Sequence, residues 1–366
     1  MTSPSFAKRL FYTCIRFLVL ASSRWMFTEV EVRGMDRIPD DRPCIVSPNH
    51  VNAFLDALLV GAFAPTDLRY LSRASVFGSQ WDWFLDALHM VPIYRRRDGF
   101  ETLSRNWDIF QQQREYLEDG NALLMFSEAE HAPTYHLRSL TRGSSRFALQ
   151  TRAAIDDEVL LVPVGINYFH HRRPGFKVSV IVGEPIPVSA YDESYAEDEA
   201  RCINALRSDL TDAMADCLLL PEKTPDHRQR LNFINRQNEH LPFADMKRAL
   251  ADLDDNANGA STLLAKKRPY RPDLDRLGAW IDGLNAAPVW LTTQMMDWVD
   301  DPAFAASLKF ATGLFVLPAW WLLLFGLGWS VHSAIAGVGL AATAVGTLFV
   351  RRALIRRSDP PHEVDG

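Results

Sequence analysis

The chain has 366 residues, enough for two domains or for one large domain with an appendage, and enough to bury a sizeable core. Its composition, 48% hydrophobic and 23% charged with a mean hydropathy of -0.10, excludes a disordered chain, a collagen and a many-spanning transporter. A net charge of -6 argues against a nucleic-acid partner held by a global basic field, and Cys14, Cys44, Cys202 and Cys217 lie too scattered for a metal-ligand spacing or a disulfide framework.

Residues 1–27 interleave Lys8, Arg9, Arg16 and Arg24 with Phe11, Tyr12, Ile15, Phe17, Leu18, Leu20, Trp25 and Phe27. The uncharged run between Arg16 and Arg24 is too short to span a bilayer, so the pattern predicts an amphipathic helix lying in the membrane interface. A basic start followed by Ala21, Ser22 and Ser23 also imitates a cleavable signal, although Arg16 interrupts its apolar stretch.

From residue 28 to 220, short β-branched runs alternate with helical stretches, the pattern of an α/β sheet. Strands are expected over 29–33, 43–47, 69–72, 91–95, 122–127, 159–168 and 177–183. Helices are expected over 101–117, ended by Gly120, and along the stripe Ile203, Leu206, Leu210, Met214 and Cys217. Residues 221–303 read as a polar helical extension punctuated by prolines, with no function legible in it. Within it Lys266 to Arg271 suits a solvated turn better than a contact with anionic lipid.

The averages conceal one extreme. Phe310 to Val350 are 41 consecutive residues without Asp, Glu, Lys or Arg, room for two membrane helices. The segment 304–352 is therefore expected to form a transmembrane hairpin, with helices over about 308–327 and 331–350 and a break at Gly326, Gly328 and Ser330. Gly337, Gly339 and the surrounding alanines would let the two backbones approach closely. The rival is a buried hairpin of a soluble protein. Lys309 before the pair and Arg351, Arg352, Arg356 and Arg357 after it are expected to put both ends, the tail 353–366 and the α/β domain 28–220 on the cytoplasmic face.

The candidate chemistry begins at Pro48-Asn49-His50, a turn after an apolar strand, with Asp56 six residues on. A histidine titrating near neutrality with a carboxylate to orient it makes a general base, although such a pair alone is more often structural. Downstream, Val91 to Arg97, Leu124 to Glu128, Leu137 to Gly143 and Val162 to Asn167 fall largely where strands would end, which is where ligands bind in open α/β sheets.

These blocks, in this order, resemble the glycerolipid acyltransferases of the lysophosphatidic acid and glycerol-3-phosphate type, over about residues 27–220. NHVNAFLD, residues 49–56, is similar to the family's histidine-aspartate block, with the five-residue spacing of a subgroup similar to glycerol-3-phosphate acyltransferases. VPIYRRRDG, residues 91–99, resembles the second block, whose arginine holds the acceptor phosphate. Phe126 to His131 resembles the third, normally Phe-Pro-Glu-Gly, and Val162-Pro163-Val164 the fourth. Here Ser127 stands for Pro, Ala129 for Gly, and Glu130 and His131 for a hydroxyl and a basic residue.

The resemblance implies a mixed sheet flanked by helices. It implies His50 and Asp56 as the catalytic pair, and Asn49, Arg95, Arg96, Arg97 and Glu128 as substrate contacts. Its implied donor is acyl-CoA or acyl carrier protein, its acceptor a membrane lipid or glycerol-3-phosphate, and it implies no cofactor or metal. The altered third block leaves two other expectations open: a catalytically degraded membrane-anchored scaffold, or a metal-dependent lipid hydrolase using Glu128 and His131. His170 to Arg173 read as an exposed hairpin turn.

Overall fold

The computed structural model of the protein describes residues 6–80, 82–94, 100–169, 177–236, 241–255, 271–299 and 304–355. The seven expected strands form, as β1 (Val30–Arg33), β2 (Cys44–Pro48), β3 (Leu68–Arg73), β4 (Met90–Ile93), β5 (Ala122–Leu124), β6 (Leu160–Tyr168) and β7 (Val178–Val182). A two-residue β8 (Ile186–Pro187) was not anticipated. It pairs antiparallel with β6 and completes an eight-stranded mixed sheet of order β1-β7-β6-β2-β5-β3-β4.

The central strands are parallel. β2 runs between β5 and β6 with Cys44 opposite both Ala122 and Leu160, and β3 runs between β5 and β4. Every residue of β2, β5 and β7 is buried, as a sheet covered on both faces requires. The long helix α7 (Glu199–Asp216) places Cys202, Ile203, Leu206, Leu210 and Met214 in the core cluster with Ile45, Leu123, Phe147 and Leu161. Each fully buried leucine contributes about 1.5–3 kcal/mol.

By contacts the chain divides into two units that are discontinuous in sequence: residues 1–20, 31–167 and 179–223, and residues 21–30, 168–178 and 224–366. The linear segments drawn from the sequence miss the two short excursions into the second unit. Buried Lys177 gives the reason, for its ammonium pairs with Glu29 at 3.0 Å and donates to the Leu241 carbonyl at 2.8 Å.

The N-terminal helix α1 (Phe6–Met26), which belongs to the first unit as far as Leu20, buries Tyr12, Ile15 and Val19 and exposes Phe6, Leu10 and Phe17. Arg16 does not face outward. Its guanidinium donates to the carbonyls of Ala62 and Ala64, at the C-terminal end of the helix α2 (Ala53–Phe63).

In the second unit Phe304–Val331 is one helical run with a π-helical turn at Thr312–Val316, followed by a helix from Ala334 to Ile355; both are long and apolar enough to cross a membrane. The outer faces of the pair are exposed, Leu322, Val331, Ile335 and Val338 among them. The break lies at His332–Ser333, later than the glycines suggested. Gly328 is spent on packing instead: a Cβ there would meet the Gly337 Cα at 2.6 Å, so the two glycines form the close crossing point of the hairpin. Gly337→Leu should force the helices apart and cost about 1–3 kcal/mol. A lowered thermal midpoint in detergent is the expected readout, with Gly339→Leu, whose Cβ would meet nothing within 4 Å, as the silent control.

Candidate active site

The parallel strands β2 and β5 end side by side, and the residues just past them make the site. After Pro48 the chain leaves the sheet while Asn49 stays pinned to it. Its side-chain amide donates to the Ile166 carbonyl at 3.2 Å, and its oxygen accepts from the Ile166 N–H at 2.7 Å. Asn49, expected to touch substrate, is thus engaged on both side-chain groups by β6.

His50 follows, and its peptide is gripped by the third block on both sides. Its N–H points to Glu128 Oε1 at 3.4 Å, and its carbonyl accepts from the Ala132 N–H at 3.1 Å. The imidazole lies flat on Phe126, with centroids 3.6 Å apart and planes 9° apart, and meets His131 edge-on at 5.3 Å. Nδ1 sits 2.9 Å from Asp56 Oδ2. That oxygen also accepts the backbone N–H groups of Val51 and Asn52 at 2.7 Å each, so Asp56 is the acceptor and Nδ1–H the donor. Nε2 is then the basic nitrogen. Asp56 is fully buried in the first turn of α2, one turn along from the residues it binds.

Burial lowers the His50 pKa below 6.5 even though Asp56 pulls it up, so the ring is neutral at pH 7. Glu128 goes the other way. Burial pushes its carboxyl up to about 7 against the pull of Arg138, whose Nε donates to Oε2 at 2.7 Å. Arg138 is not among the expected site residues, although the block Leu137 to Gly143 contains it. Only the fold reveals that this loop returns to Glu128. Arg95, Arg96 and Arg97 lie outside the described residues, just beyond edge strand β4. Among the described residues no group of three or more His, Cys, Asp or Glu side chains gathers as a metal-ligand set.

The altered third block shows one compensating contact and one cost. The buried Ser127 hydroxyl joins Ser47 Oγ at 2.5 Å and Ser144 Oγ at 2.6 Å, a hydroxyl chain that a proline could not make. Ala129 adopts φ 64°, the left-handed region in which a Cβ is unwelcome and glycine is favoured.

Residues 29–167, a segment that holds His50, Asp56 and Glu128, match the family model described as Acyltransferase. No curated protein matches the chain. Among solved structures, the 1-acyl-sn-glycerophosphate (LPA) acyltransferase PlsC from Thermotoga maritima is 21% identical, covering 58% of this chain and 83% of its own, with a TM-score of 0.42.

Two substitutions separate backbone strain from hydrogen bonding. Ala129→Gly should stabilise the protein by about 1 kcal/mol by relieving the left-handed alanine. Ser127→Pro should destabilise it by about 1–3 kcal/mol, because buried Ser47 and Ser144 lose a partner. Denaturant midpoints of the two single variants check both signs.

Proposed function

We propose that the protein is a membrane-bound O-acyltransferase. It moves a fatty acyl chain from the thioester of acyl-CoA or acyl carrier protein to a hydroxyl of glycerol-3-phosphate or a lysophospholipid. The observation that carries this reading is the His50–Asp56 pair, buried and neutral at the ring, within an acyltransferase-family segment.

In the proposed mechanism Nε2 of His50 takes the proton of the acceptor hydroxyl as its oxygen attacks the thioester carbonyl. The tetrahedral adduct collapses, the C–S bond breaks, and the leaving sulfur takes the proton back from the imidazolium. Asp56 holds the tautomer and offsets the charge that develops on the ring. No acyl-enzyme and no cofactor enters these steps. Arg138, ordered by Glu128, joins Arg95, Arg96 and Arg97 as a phosphate-binding candidate, since a guanidinium suits bidentate contact with an oxyanion. The assembled pair weighs against a degraded scaffold, and the engagement of Glu128 by Arg138 weighs against a metal-dependent hydrolase.

The proposed location is the cytoplasmic face of a membrane, held by two C-terminal spans. The exposed apolar flanks of Phe304–Val331 and Ala334–Arg351 support that reading over a buried hairpin, and the arginines from Arg351 onward support the orientation. Exposed Phe6, Leu10 and Phe17 beside Lys8 and Arg9 support an interfacial α1.

In detergent with acyl-CoA and glycerol-3-phosphate or lysophosphatidate, thiol release should fall about 10²- to 10⁴-fold in His50→Ala; undiminished turnover would sink the base assignment. Below its pKa His50 is protonated and cannot act, and Glu128 is ionised only above about 7. Wild-type kcat/KM should therefore climb with pH and level off above about 7. In Glu128→Gln the limb should move below pH 6.5, where His50 titrates alone. Arg138→Ala should raise KM for a phosphorylated acceptor about tenfold or more, as expected for a lost charge-assisted pair, with a smaller change in kcat.

A further inference from the structure

The extension before the apolar hairpin contains a second, shorter hairpin. Helix α10 (Pro272–Ile281) and helix α11 (Ala286–Asp297) are joined by a 3-10 turn at Gly283–Asn285. At 1.5 Å per residue these helices are about 15 and 18 Å long, half of a hydrocarbon core of about 30 Å. From Leu277 to Met296 the only charged residue is Asp282.

The short hairpin lies lengthwise on the long one. A Cβ on Gly278 would meet Arg351 at 3.2 Å, whereas Asn285, seven residues further on, donates to the Ala344 carbonyl at 2.7 Å. α10 therefore descends towards the tip of the long hairpin as it follows the helix from Ala334 to Ile355. α11 returns along the other long helix. Asn285 accepts from Trp321 Nε1 at 2.9 Å near the turn, and Thr292 reaches Thr312 at 2.8 Å near the open end. Ala344 lies ten residues beyond Ala334, so the Gly283–Asn285 turn sits about 15 Å from the tip, the middle of a bilayer that the long pair spans.

The polarity of the short hairpin is sorted as that depth demands. Asp282 is 2% exposed and ion-paired with Arg351 at 2.9 Å, and Asn285 is 0% exposed with its amide and oxygen both bonded. The turn thus carries its polar groups against protein, the condition for non-helical backbone at membrane depth. The outward side carries Trp280 at 82% exposure and Trp290 at 64%, with Leu277, Val289 and Leu291. In water this would be a large unpartnered apolar surface, continuous with the exposed flanks of the spans. Charge resumes only at the open end, with Arg271, Asp273 and Arg276 before it and Asp297 after it.

We propose that residues 271–299 form a re-entrant helical hairpin that enters the acyl-chain region of the bilayer from the side of Arg351, turns near the midplane and returns. This rests on the reading of the long hairpin as membrane-spanning. Its occupant is lipid hydrocarbon, because from Leu277 to Met296 the single charged residue, Asp282, is buried against Arg351, which leaves the exposed side of that stretch without charge to offer a protein or an anion.

Depth-dependent quenching tests it on the full chain in phosphatidylethanolamine–phosphatidylglycerol nanodiscs. In a Cys14→Ser background, a single fluorophore is attached at Gly283→Cys, where an added Cβ meets nothing within 4 Å, or at Trp290→Cys, Asp273→Cys or Val338→Cys. Lipids bearing a nitroxide at mid-chain should quench the Gly283 probe at least about twofold more than lipids bearing it at the headgroup, and the Asp273 probe should show the reverse. The Trp290 probe should report an acyl-chain depth between them, an independent check if the Gly283 variant misfolds. Headgroup depth at all three would place the helices flat on the surface and overturn the proposal, with the Val338 probe still deep. A Val338 probe beyond reach of mid-chain nitroxide would overturn the spanning reading, and the proposal with it.

Discussion

A single carboxylate oxygen organises the candidate site. Asp56 Oδ2 gathers two backbone N–H groups and one imidazole N–H, which fixes both the turn after β2 and the orientation of the ring it presents. The geometry is tight enough to hold Ala53, the first residue of α2, at φ 34°, a strained value that persists only where surrounding contacts over-determine it. Without that oxygen three donors would lack their acceptor, in a place where water is poorly placed to replace it. Because Asp56 sits on the helix and His50 on the strand end, the same contact that tunes the base also joins two layers of the fold.

The third block combines a strained turn with a hydroxyl network. The turn at Ala129 keeps the left-handed conformation that glycine would adopt without cost, and the hydroxyl of Ser127 supplies hydrogen bonds that a proline lacks. The altered residues support the loop that holds the His50 peptide through Glu128 and Ala132. Ser127 thus secures the loop through its hydroxyl, while Ala129 holds its turn at a cost in backbone strain.

Local patterns were legible in the sequence and contacts between distant residues were not. All seven strand candidates came from short apolar runs, most of them rich in β-branched residues, whereas β8, two residues long, has no periodicity to find. The His50–Asp56 pair was visible because its members are six residues apart; the Glu128–Arg138 pair depends on a loop doubling back, which no spacing rule encodes. Gly326 and Gly328 looked like a turn because glycine favours both turns and close packing, and only the partner Gly337 tells the two apart. The extension read as polar because charges are spread from Glu222 to Arg276, which diluted the apolar stretch around the Gly283–Asn285 turn.

Arg16 has a mechanical consequence. Helix α2 is held at its start through Asp56 and at its end by this arginine, which reaches from α1 to the carbonyls of Ala62 and Ala64. A short, clamped helix moves as a rigid rod, so a tilt of α1 at one end is delivered to the imidazole at the other. If α1 rests on lipid, as its exposed aromatic side suggests, the pitch of that helix on the surface and the aim of the base are one degree of freedom.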